Sequence, residues 1–303
     1  MQNLRGTGVA IITPFDSKNN IDKSALKKLV NYLINGNVEF IVALGTTGET
    51  SVLTKEEQKA VVDVIREVNN GRVALVLGWG GNNTDALTSA FKGFNFDGFS
   101  ALLSVSPYYN KPTQEGIYQH YMQVAEKSPL PILLYNVPGR TGSNVSAETT
   151  LRLAHDHPNI IGTKEASGNF EQSMKIIQNR PEGFLVLSGD DNLTLPLLSI
   201  GADGVISVLA NAYPAQVSKM VRNALGGYFQ KAKELHYMLF ELTEALFIDG
   251  NPAGIKHALQ TLNIIESHIR LPLVKARPET AERIEKLVKQ VNKNSFDYFK
   301  TVL

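Results

Sequence analysis

Short runs of apolar residues recur along the chain, and the segments between them carry apolar residues at helical spacing. Several runs are almost continuously apolar, as at residues 41–44, which is typical of strands buried on both faces. Strands that alternate with helices predict a parallel sheet joined by right-handed crossovers. We predict eight strands, at residues 8–15, 40–45, 74–78, 99–105, 131–137, 160–166, 184–189 and 204–210.

The segments between the predicted strands begin and end at residues that cap helices. Asp22 is placed to cap the first segment, and Gly36 is placed to end it. Thr54 and Glu57 have the spacing of a capping box, and Asn169 can cap the segment after the sixth strand. Each of these segments lies between two predicted strands, so each predicts a crossover helix.

The number of strand and helix units predicts the architecture. Eight units of similar length close naturally into a (β/α)8 TIM barrel of the α/β class, and an open doubly wound sheet is the alternative. After the eighth strand the sequence predicts helices alone, at residues 217–225, 228–247, 252–262 and 278–291. We therefore predict a barrel at residues 1–225 and a C-terminal helical region at residues 226–303 packed on it.

Composition and charge exclude several classes of function. The chain has 303 residues, no cysteine, and 30 basic against 29 acidic side chains. It therefore offers no disulfide, no thiolate nucleophile, and no field of one sign that would attract nucleic acid or an anionic membrane. The first residues lack the pattern of a signal peptide, and no apolar segment is long enough to span a bilayer. We expect a cytoplasmic protein that acts on a small molecule or binds copies of itself.

The sixth predicted strand carries a lysine, Lys164, close to its carboxyl end. Reactive groups of barrel enzymes collect at the carboxyl ends of the strands and in the loops that follow. Burial disfavours an ammonium, so it lowers the pKa of a lysine and leaves a neutral amine that can attack a ketone carbonyl. A lysine that reaches solvent or pairs with Glu165 is the alternative.

Two neighbouring strand ends carry groups suited to an oxo acid. Tyr135 ends the fifth strand and can transfer protons, and Arg140 in the next loop can bind a carboxylate with its guanidinium. A tyrosine that merely lines the barrel and an arginine in a surface ion pair are the alternatives. Thr46 and Thr47 follow the second strand, where hydroxyls and backbone amides suit a carboxylate, and a capping box of Thr46 with Glu49 is the structural alternative.

Two further strand ends are less specific. Tyr108 and Tyr109 are adjacent on an extended backbone, so they face opposite ways and one of them can serve the site. The paired Asp190 and Asp191 invite a magnesium site, but a helix cap at residues 190–192 is favoured. His155 and His157, between the fifth and sixth predicted strands, are two positions apart and so face opposite sides of a helix. We therefore expect no metal and no cofactor.

Three motifs occur in order at the second, fifth and sixth strands: Gly45-Thr-Thr-Gly-Glu49, Tyr135-Asn-Val-Pro-Gly-Arg140 and Gly162-Thr-Lys-Glu-Ala166. Through them the chain resembles, over essentially its whole length, the dihydrodipicolinate synthase and N-acetylneuraminate lyase family. The resemblance implies a Schiff-base enzyme on a TIM barrel. It matches Lys164 to the lysine that forms the imine.

The resemblance also implies roles for the surrounding residues. Tyr135, Thr46 and Tyr109 match a proton relay, with Tyr109 supplied by the neighbouring subunit of a tight dimer. Thr46 and Thr47 match the groups that hold the carboxylate of pyruvate. Arg140 matches the residue that binds the carboxylate of aspartate semialdehyde. The backbone positions that line the pocket are matched by Gly189 and Ile206. A homotetramer built from two tight dimers is implied as well.

The implied reaction is the condensation of pyruvate with L-aspartate 4-semialdehyde to give 4-hydroxy-tetrahydrodipicolinate, in the diaminopimelate route to lysine. The second threonine of Gly45-Thr-Thr-Gly-Glu49 and the presence of Arg140 favour the synthases of the family. Sialic acid lyases usually carry Gly-Ser-Thr-Gly-Glu and lack the arginine. Aldolases for 2-keto-3-deoxy-sugar acids can share the threonine pair, so they remain the alternative.

One departure from the family pattern concerns regulation. Lysine-inhibited members have a histidine at the position of Lys55 and a glutamate at the position of Ala86, whereas Asn82 and Tyr108 match. The carboxylate that would bind the ammonium of the inhibitor is missing here. We therefore expect weak or absent feedback inhibition by L-lysine.

Overall fold

The eight predicted strands form a closed parallel barrel in the computed structural model, which describes residues 4–301, with the backbone alone for residues 297 and 299–301. Each strand pairs with the next, and the eighth returns to pair with the first, which excludes the open sheet. The strands are β1 Gly6–Ala10, β2 Phe40–Ala43, β3 Ala74–Gly78, β4 Ala101–Val105, β5 Ile132–Asn136, β6 Ile160–Glu165, β7 Leu185–Ser188 and β8 Gly204–Ser207.

Helices follow the strands as predicted. Those within the barrel sequence are α1 Lys23–Asn35, α2 Lys55–Asn69, α3 Thr84–Ser89, α4 Gln114–Lys127, α5 Pro138–Thr141, α6 Ala147–Asp156, α7 Phe170–Asn179, α8 Thr194–Ser199 and α9 Pro214–Leu225. The predicted caps are confirmed. The Asp22 carboxylate accepts from the amide of Ala25, Thr54 and Glu57 form a reciprocal capping box, and the Asn169 side chain accepts from the amide of Gln172.

The predicted ends of two strands are wrong by three residues or more, and hydrogen bonding explains both. The first strand ends at Ala10 rather than at residue 15, and the following segment contains Pro14, which has no amide to donate. The eighth strand ends at Ser207 rather than at residue 210. The amides of Val208 and Leu209 donate instead to Oδ2 of Asp191, at 2.9 and 3.0 Å.

Three more helices follow α9: α10 Phe229–Phe247, α11 Ala253–Thr261 and α12 Pro278–Thr301. The last helix was predicted to end at residue 291, and it continues to Thr301. Contacts with α9 and with the residue before it explain the extension, because the Tyr213 hydroxyl donates to Oδ1 of Asn292 at 3.0 Å and the Gln216 amide donates to Oγ of Ser295 at 3.2 Å. The apolar periodicity of the sequence does not predict such polar contacts.

The two faces of each strand contact different cores. Phe40 and Val42 of β2 lie inside the barrel, whereas Ile41 and Ala43 belong to the larger apolar cluster that includes the surrounding helices. Among the C-terminal helices, α10 packs on α9, α12 and α8, and also on the short turn at residues 191–193 that follows β7. The C-terminal helical region therefore reaches the carboxyl ends of the strands.

The division between barrel and C-terminal region at residues 225 and 226 stays a prediction. Residues 1–3 of the predicted barrel and residues 302–303 of the predicted C-terminal region lie outside the described residues. Between residues 4 and 301, none of the helices combines the length and the apolar character that crossing a membrane requires.

Candidate active site

A cavity of about 840 Å³ opens at the carboxyl ends of the strands. Barrel enzymes place their chemistry at this face. Six of the predicted site residues line the cavity together: Thr46, Thr47, Tyr135, Arg140, Lys164 and Gly189. Two predicted residues, Tyr109 and Ile206, do not line it.

Lys164 lies near the end of β6 and is only 5% exposed. Its Nζ lies 4.2 Å from the centroid of the Tyr135 ring, and the two residues are paired in the β5–β6 ladder. Within the described part of the chain, no carboxylate forms a salt bridge with Lys164. An amine that is buried without a counter-ion at a cavity wall is placed to react with a carbonyl compound.

The alternative in which Lys164 pairs with Glu165 is wrong. The Glu165 carboxylate is buried and accepts from Asn136 Nδ2 at 3.1 Å, from the amide of Ser167 at 2.8 Å and from Gln172 Nε2 at 3.0 Å. Since adjacent residues of a strand face opposite sides, Glu165 points away from the barrel interior that Lys164 faces. These hydrogen bonds join the ends of β5 and β6, which carry Tyr135 and Lys164.

Gly189, directly after β7, gives Lys164 its space. A Cβ atom at this position would lie 3.0 Å from Cε of Lys164 and 2.6 Å from Cβ of Ala166. The Gly189 amide donates to the carbonyl of Glu165 at 2.7 Å, which fixes the backbone there. Glycine is therefore required for the close approach of this backbone to the lysine.

The loop after β2 is a short 3-10 turn at Thr46–Gly48. The amides of Gly48 and Glu49 donate to the carbonyls of Gly45 and Thr46. The amides of Thr46 and Thr47 come before these donors, so the turn itself offers them no acceptor. Glu49 has a left-handed backbone, with φ of 54°. The predicted alternative of a Thr46–Glu49 capping box is wrong, because no side chain caps this turn and the Glu49 carboxylate is buried elsewhere.

The Glu49 carboxylate forms a fully buried ion pair with Lys256 of α11, at 2.5 Å. Lys256 Nζ also donates to the carbonyl of His268 and lies 4.2 Å from the Phe15 ring centroid. Burial lowers the pKa of the Lys256 ammonium to about 8, against the opposing attraction of Glu49. Lys256 was not predicted from the sequence, although a lysine between the apolar Ile255 and Ala258 of a helix was a signal for it.

Arg140 lies in the α5 turn that follows β5, where Pro138 occupies the first helical turn and Gly142 ends it with φ of 71°. The side chain is exposed and lines the cavity. No salt bridge to Arg140 is present among residues 4–301, so the alternative of a surface ion pair is not supported. A free guanidinium at the rim is suited to bind a carboxylate.

Tyr108 lines the cavity, whereas the neighbouring Tyr109 is 89% exposed and has φ of 73°. The Tyr109 amide donates to the carbonyl of Thr141 at 3.3 Å. Within residues 4–301 of one chain, no hydrogen bond links the Tyr135 hydroxyl to Thr46 or Tyr109, so the predicted relay is not assembled in a single subunit.

Ile206 is not a wall of the cavity. Its side chain is 1% exposed and packs inside the barrel below the site, whereas Val208, two residues further, lines the cavity. The resemblance matched only the backbone of Ile206 to the pocket, and this position lies within β8, one residue before the strand ends at Ser207.

The residues after β7 form a cap, as the sequence analysis favoured. The Asp190 side chain accepts from the amide of Asn192 at 3.2 Å, and burial raises the pKa of the Asp190 carboxyl. The Asp191 carboxylate accepts hydrogen bonds from the Ser207 hydroxyl and from the amides of Val208 and Leu209. Burial raises the pKa of this carboxyl too. In the described part of the chain, no three His, Cys, Asp or Glu side chains are grouped as metal ligands.

Three wall residues come from the C-terminal helical region, and the sequence analysis missed them: Glu244, Phe247 and Asn251. Glu244 and Phe247 are on α10, and both are exposed at the rim. Asn251 is buried, and its Nδ2 donates to Oγ1 of Thr47 at 2.9 Å. Because these residues lie far from the strand motifs in the sequence, only the packing of the C-terminal helices brings them to the cavity.

Comparison with known proteins finds relatives that match almost the whole chain. The model of the dihydrodipicolinate synthetase family matches residues 3–291. The 4-hydroxy-tetrahydrodipicolinate synthase of Flavobacterium psychrophilum is 50% identical over 293 residues, which are 97% of this chain and 100% of the relative. A solved dihydrodipicolinate synthase from Aquifex aeolicus has a TM-score of 0.91 at 39% identity, covering 95% of this chain and 98% of the other. A solved monomeric dihydrodipicolinate synthase variant has a TM-score of 0.92 at 38% identity, over 95% of this chain and 97% of that one. This chain belongs to the dihydrodipicolinate synthetase family.

Proposed function

We propose that this chain is a lyase that condenses pyruvate with L-aspartate 4-semialdehyde to give 4-hydroxy-tetrahydrodipicolinate, in the diaminopimelate route to lysine. The observation that carries the proposal is Lys164, a buried lysine that lines the cavity and has no ion pair among the described residues. Such an amine needs neither a metal nor a cofactor to activate a keto acid.

The proposed chemistry runs through covalent intermediates on Lys164. The amine attacks the keto carbon of pyruvate, water leaves, and a protonated imine forms. Loss of a proton from the methyl carbon gives an enamine, which bonds to the aldehyde carbon of L-aspartate 4-semialdehyde. The amino group of that substrate then attacks the imine carbon, which closes the ring and releases Lys164. The protein positions two carboxylates and moves protons.

Tyr135 is the proposed proton carrier, since its ring lies against the Lys164 amine and its side chain lines the cavity. Thr46 and Thr47 are the proposed donors to the pyruvate carboxylate. Arg140 at the rim is proposed to bind the carboxylate of the aldehyde substrate. Gly189 contributes the backbone beside the lysine, and the contribution proposed for Ile206 is limited to its backbone because its side chain is buried in the barrel.

Tyr109 is proposed to complete the relay of a neighbouring subunit, in a homotetramer built from two tight dimers. Its exposed side chain supports this, because an exposed tyrosine on a strained backbone is otherwise unexplained. A similar structure is of a monomeric variant, so the assembly is tested separately from the reaction. Mixing inactive Tyr109→Phe and Lys164→Ala subunits tests it, since mixed dimers regain one intact site and therefore activity. Failure to regain activity, with mixed dimers verified by mass spectrometry, contradicts the exchange of Tyr109.

Borohydride trapping tests the main proposal. Reduction in the presence of pyruvate is expected to add the three-carbon unit to Lys164 alone, as located by peptide mapping, and Lys164→Ala is expected to remain unmodified. A competition among aldehydes then identifies the acceptor. L-Aspartate 4-semialdehyde should be consumed faster than N-acetylmannosamine or glyceraldehyde. A preference for either of the latter two would instead indicate a sialic acid lyase or a sugar-acid aldolase.

A further inference from the structure

Asn251 connects the C-terminal helical region to the threonine pair. It lies between α10 and α11, lines the cavity and is 8% exposed. Its Nδ2 donates to Oγ1 of Thr47 at 2.9 Å, although the two residues are 204 positions apart. Its Oδ1 is buried and has no hydrogen-bond partner in the described part of the chain. The only polar contact of this amide group within residues 4–301 is therefore with Thr47.

This hydrogen bond fixes the polarity of the Thr47 hydroxyl. A threonine hydroxyl has one proton to donate and two lone pairs to accept. Since Asn251 occupies an acceptor position, the hydroxyl proton of Thr47 remains available to a group in the cavity. A carboxylate only accepts hydrogen bonds, so it requires this polarity.

The fold of the loop does not depend on Asn251. Glu49, two residues after Thr47, is bound by Lys256 at 2.5 Å and by the amide of Arg270 at 3.1 Å. The Thr13 hydroxyl donates to the carbonyl of Gly48 at 2.7 Å. The Thr50 hydroxyl donates to the carbonyl of Gly45 at 3.0 Å, before Thr47. Because these contacts do not involve Asn251, a change at Asn251 is expected to affect the Thr47 hydroxyl more than the course of the chain.

We infer that Asn251 is a positioning residue for pyruvate, which orients the Thr47 hydroxyl so that its proton points to the carboxylate of the keto acid. The inference rests on the proposed function, because that function supplies pyruvate as the ligand. Asn251 acts through Thr47 and has no contact with the reacting carbon in this account. Its substitution is therefore expected to change saturation by pyruvate and to leave the maximum extent of imine trapping unchanged.

The experiment measures borohydride trapping as a function of pyruvate concentration in the full-length chain. Asn251→Leu removes the donor and keeps the branched shape of the side chain, and it is expected to raise the half-saturating pyruvate concentration roughly threefold to tenfold. Asn251→Asp replaces the donor by an acceptor and adds a negative charge. It is expected to raise the half-saturating pyruvate concentration roughly tenfold to a hundredfold. The same two substitutions are made in a Thr47→Val background, where no hydroxyl remains to be oriented.

A positioning role predicts that Asn251→Leu has no further effect in the Thr47→Val background. The same increase in both backgrounds, or no increase in either, would overturn the inference while trapping in the unsubstituted chain still supports the proposed function. Absence of trapping on Lys164 of the unsubstituted chain would overturn both. If Asn251→Leu does not fold, the nearly isosteric Asn251→Asp provides the test. Its added charge acts in both backgrounds, so the inference then requires a larger increase with Thr47 present than with Thr47→Val, and equal increases would overturn it.

Discussion

Nζ of Lys164 lies 4.2 Å from the centroid of the Tyr135 ring, and the two residues are direct partners on neighbouring strands of the barrel. The register of β5 with β6 thus sets the amine against the aromatic face. An aromatic face attracts an ammonium or iminium cation. The phenol hydroxyl extends from the same ring, so one side chain offers both a cation-binding surface and a proton donor.

Tyr135→Phe separates these two contributions. The substitution keeps the ring beside Lys164 and removes the hydroxyl, so it is expected to lower kcat roughly a hundredfold or more, because general acid–base groups contribute at least that much. Steady-state kinetics with both substrates measure the effect, and circular dichroism checks the fold. A kcat within twofold of the parent would show that the hydroxyl of Tyr135 is not the proton carrier.

Arg140→Ala is expected to affect the second substrate alone. Loss of a charge-assisted contact to a carboxylate should raise KM for L-aspartate 4-semialdehyde roughly tenfold to a hundredfold. The half-saturating pyruvate concentration in borohydride trapping should stay unchanged, because the site proposed for pyruvate is at Lys164 and the threonine pair and not at Arg140. Arg140→Lys keeps the charge but lacks the planar guanidinium, so its KM for L-aspartate 4-semialdehyde should lie between those of the parent and Arg140→Ala. A matching rise for pyruvate would contradict this assignment.

Lys256→Met is expected to destabilise the protein by about 3 to 5 kcal/mol, because it leaves the Glu49 carboxylate buried without its cation. The double variant Lys256→Met with Glu49→Gln removes that unpaired charge and should recover part of the loss. Urea unfolding at neutral pH measures both. Equal losses in the single and double variants would mean that the damage comes from packing rather than from the charge.

His120 is expected to make the protein sensitive to acid. Burial lowers the pKa of its imidazole to about 4, and its Nδ1 is hydrogen-bonded to the Thr84 hydroxyl at 2.8 Å. Between pH 4 and the ordinary value of about 6.5, the unfolded state binds a proton that the folded state does not. This contribution to the free energy of unfolding therefore falls as the pH falls through that range, by up to about 1.4 kcal/mol per pH unit.

His120→Asn removes the titrating group and keeps a polar partner for Thr84. The difference in the free energy of unfolding between the parent and this variant should be largest at pH 7 and should decrease by pH 4.5. Urea unfolding at both pH values measures it. A difference that is the same at both values would mean that His120 does not account for the loss of stability in acid.

Feedback by L-lysine is expected to be weak or absent, because Ala86 in α3 has no carboxylate and Lys55 at the start of α2 brings a cation. Both side chains are exposed, so replacing them should not disturb the core. A coupled assay with increasing L-lysine checks the parent and the double variant Lys55→His with Ala86→Glu, in which inhibition should become stronger. A submillimolar inhibition constant for the parent would contradict the prediction.

The site residues that the sequence pattern predicted share one property. Lys164, Tyr135 and Arg140 lie at or just after strands that begin with buried apolar residues, and parallel strands end at the same face of a barrel. Once the strands are assigned to one barrel, these residues are expected to lie at the same face. The end of α12 did not follow, because polar contacts from Tyr213 and Gln216 extend the helix beyond its apolar pattern.

The sequence by itself determined the eight-stranded barrel, the crossover helices with their caps, and the lysine at the end of the sixth strand. The tertiary structure alone decided how the loop after β2 is held, with Glu49 on Lys256 and Thr47 on Asn251, and which tyrosine faces the cavity. The physical reason is range. Apolar periodicity and capping depend on residues within a few positions, whereas these buried polar contacts join residues some two hundred positions apart that meet only when the C-terminal helices pack on the barrel.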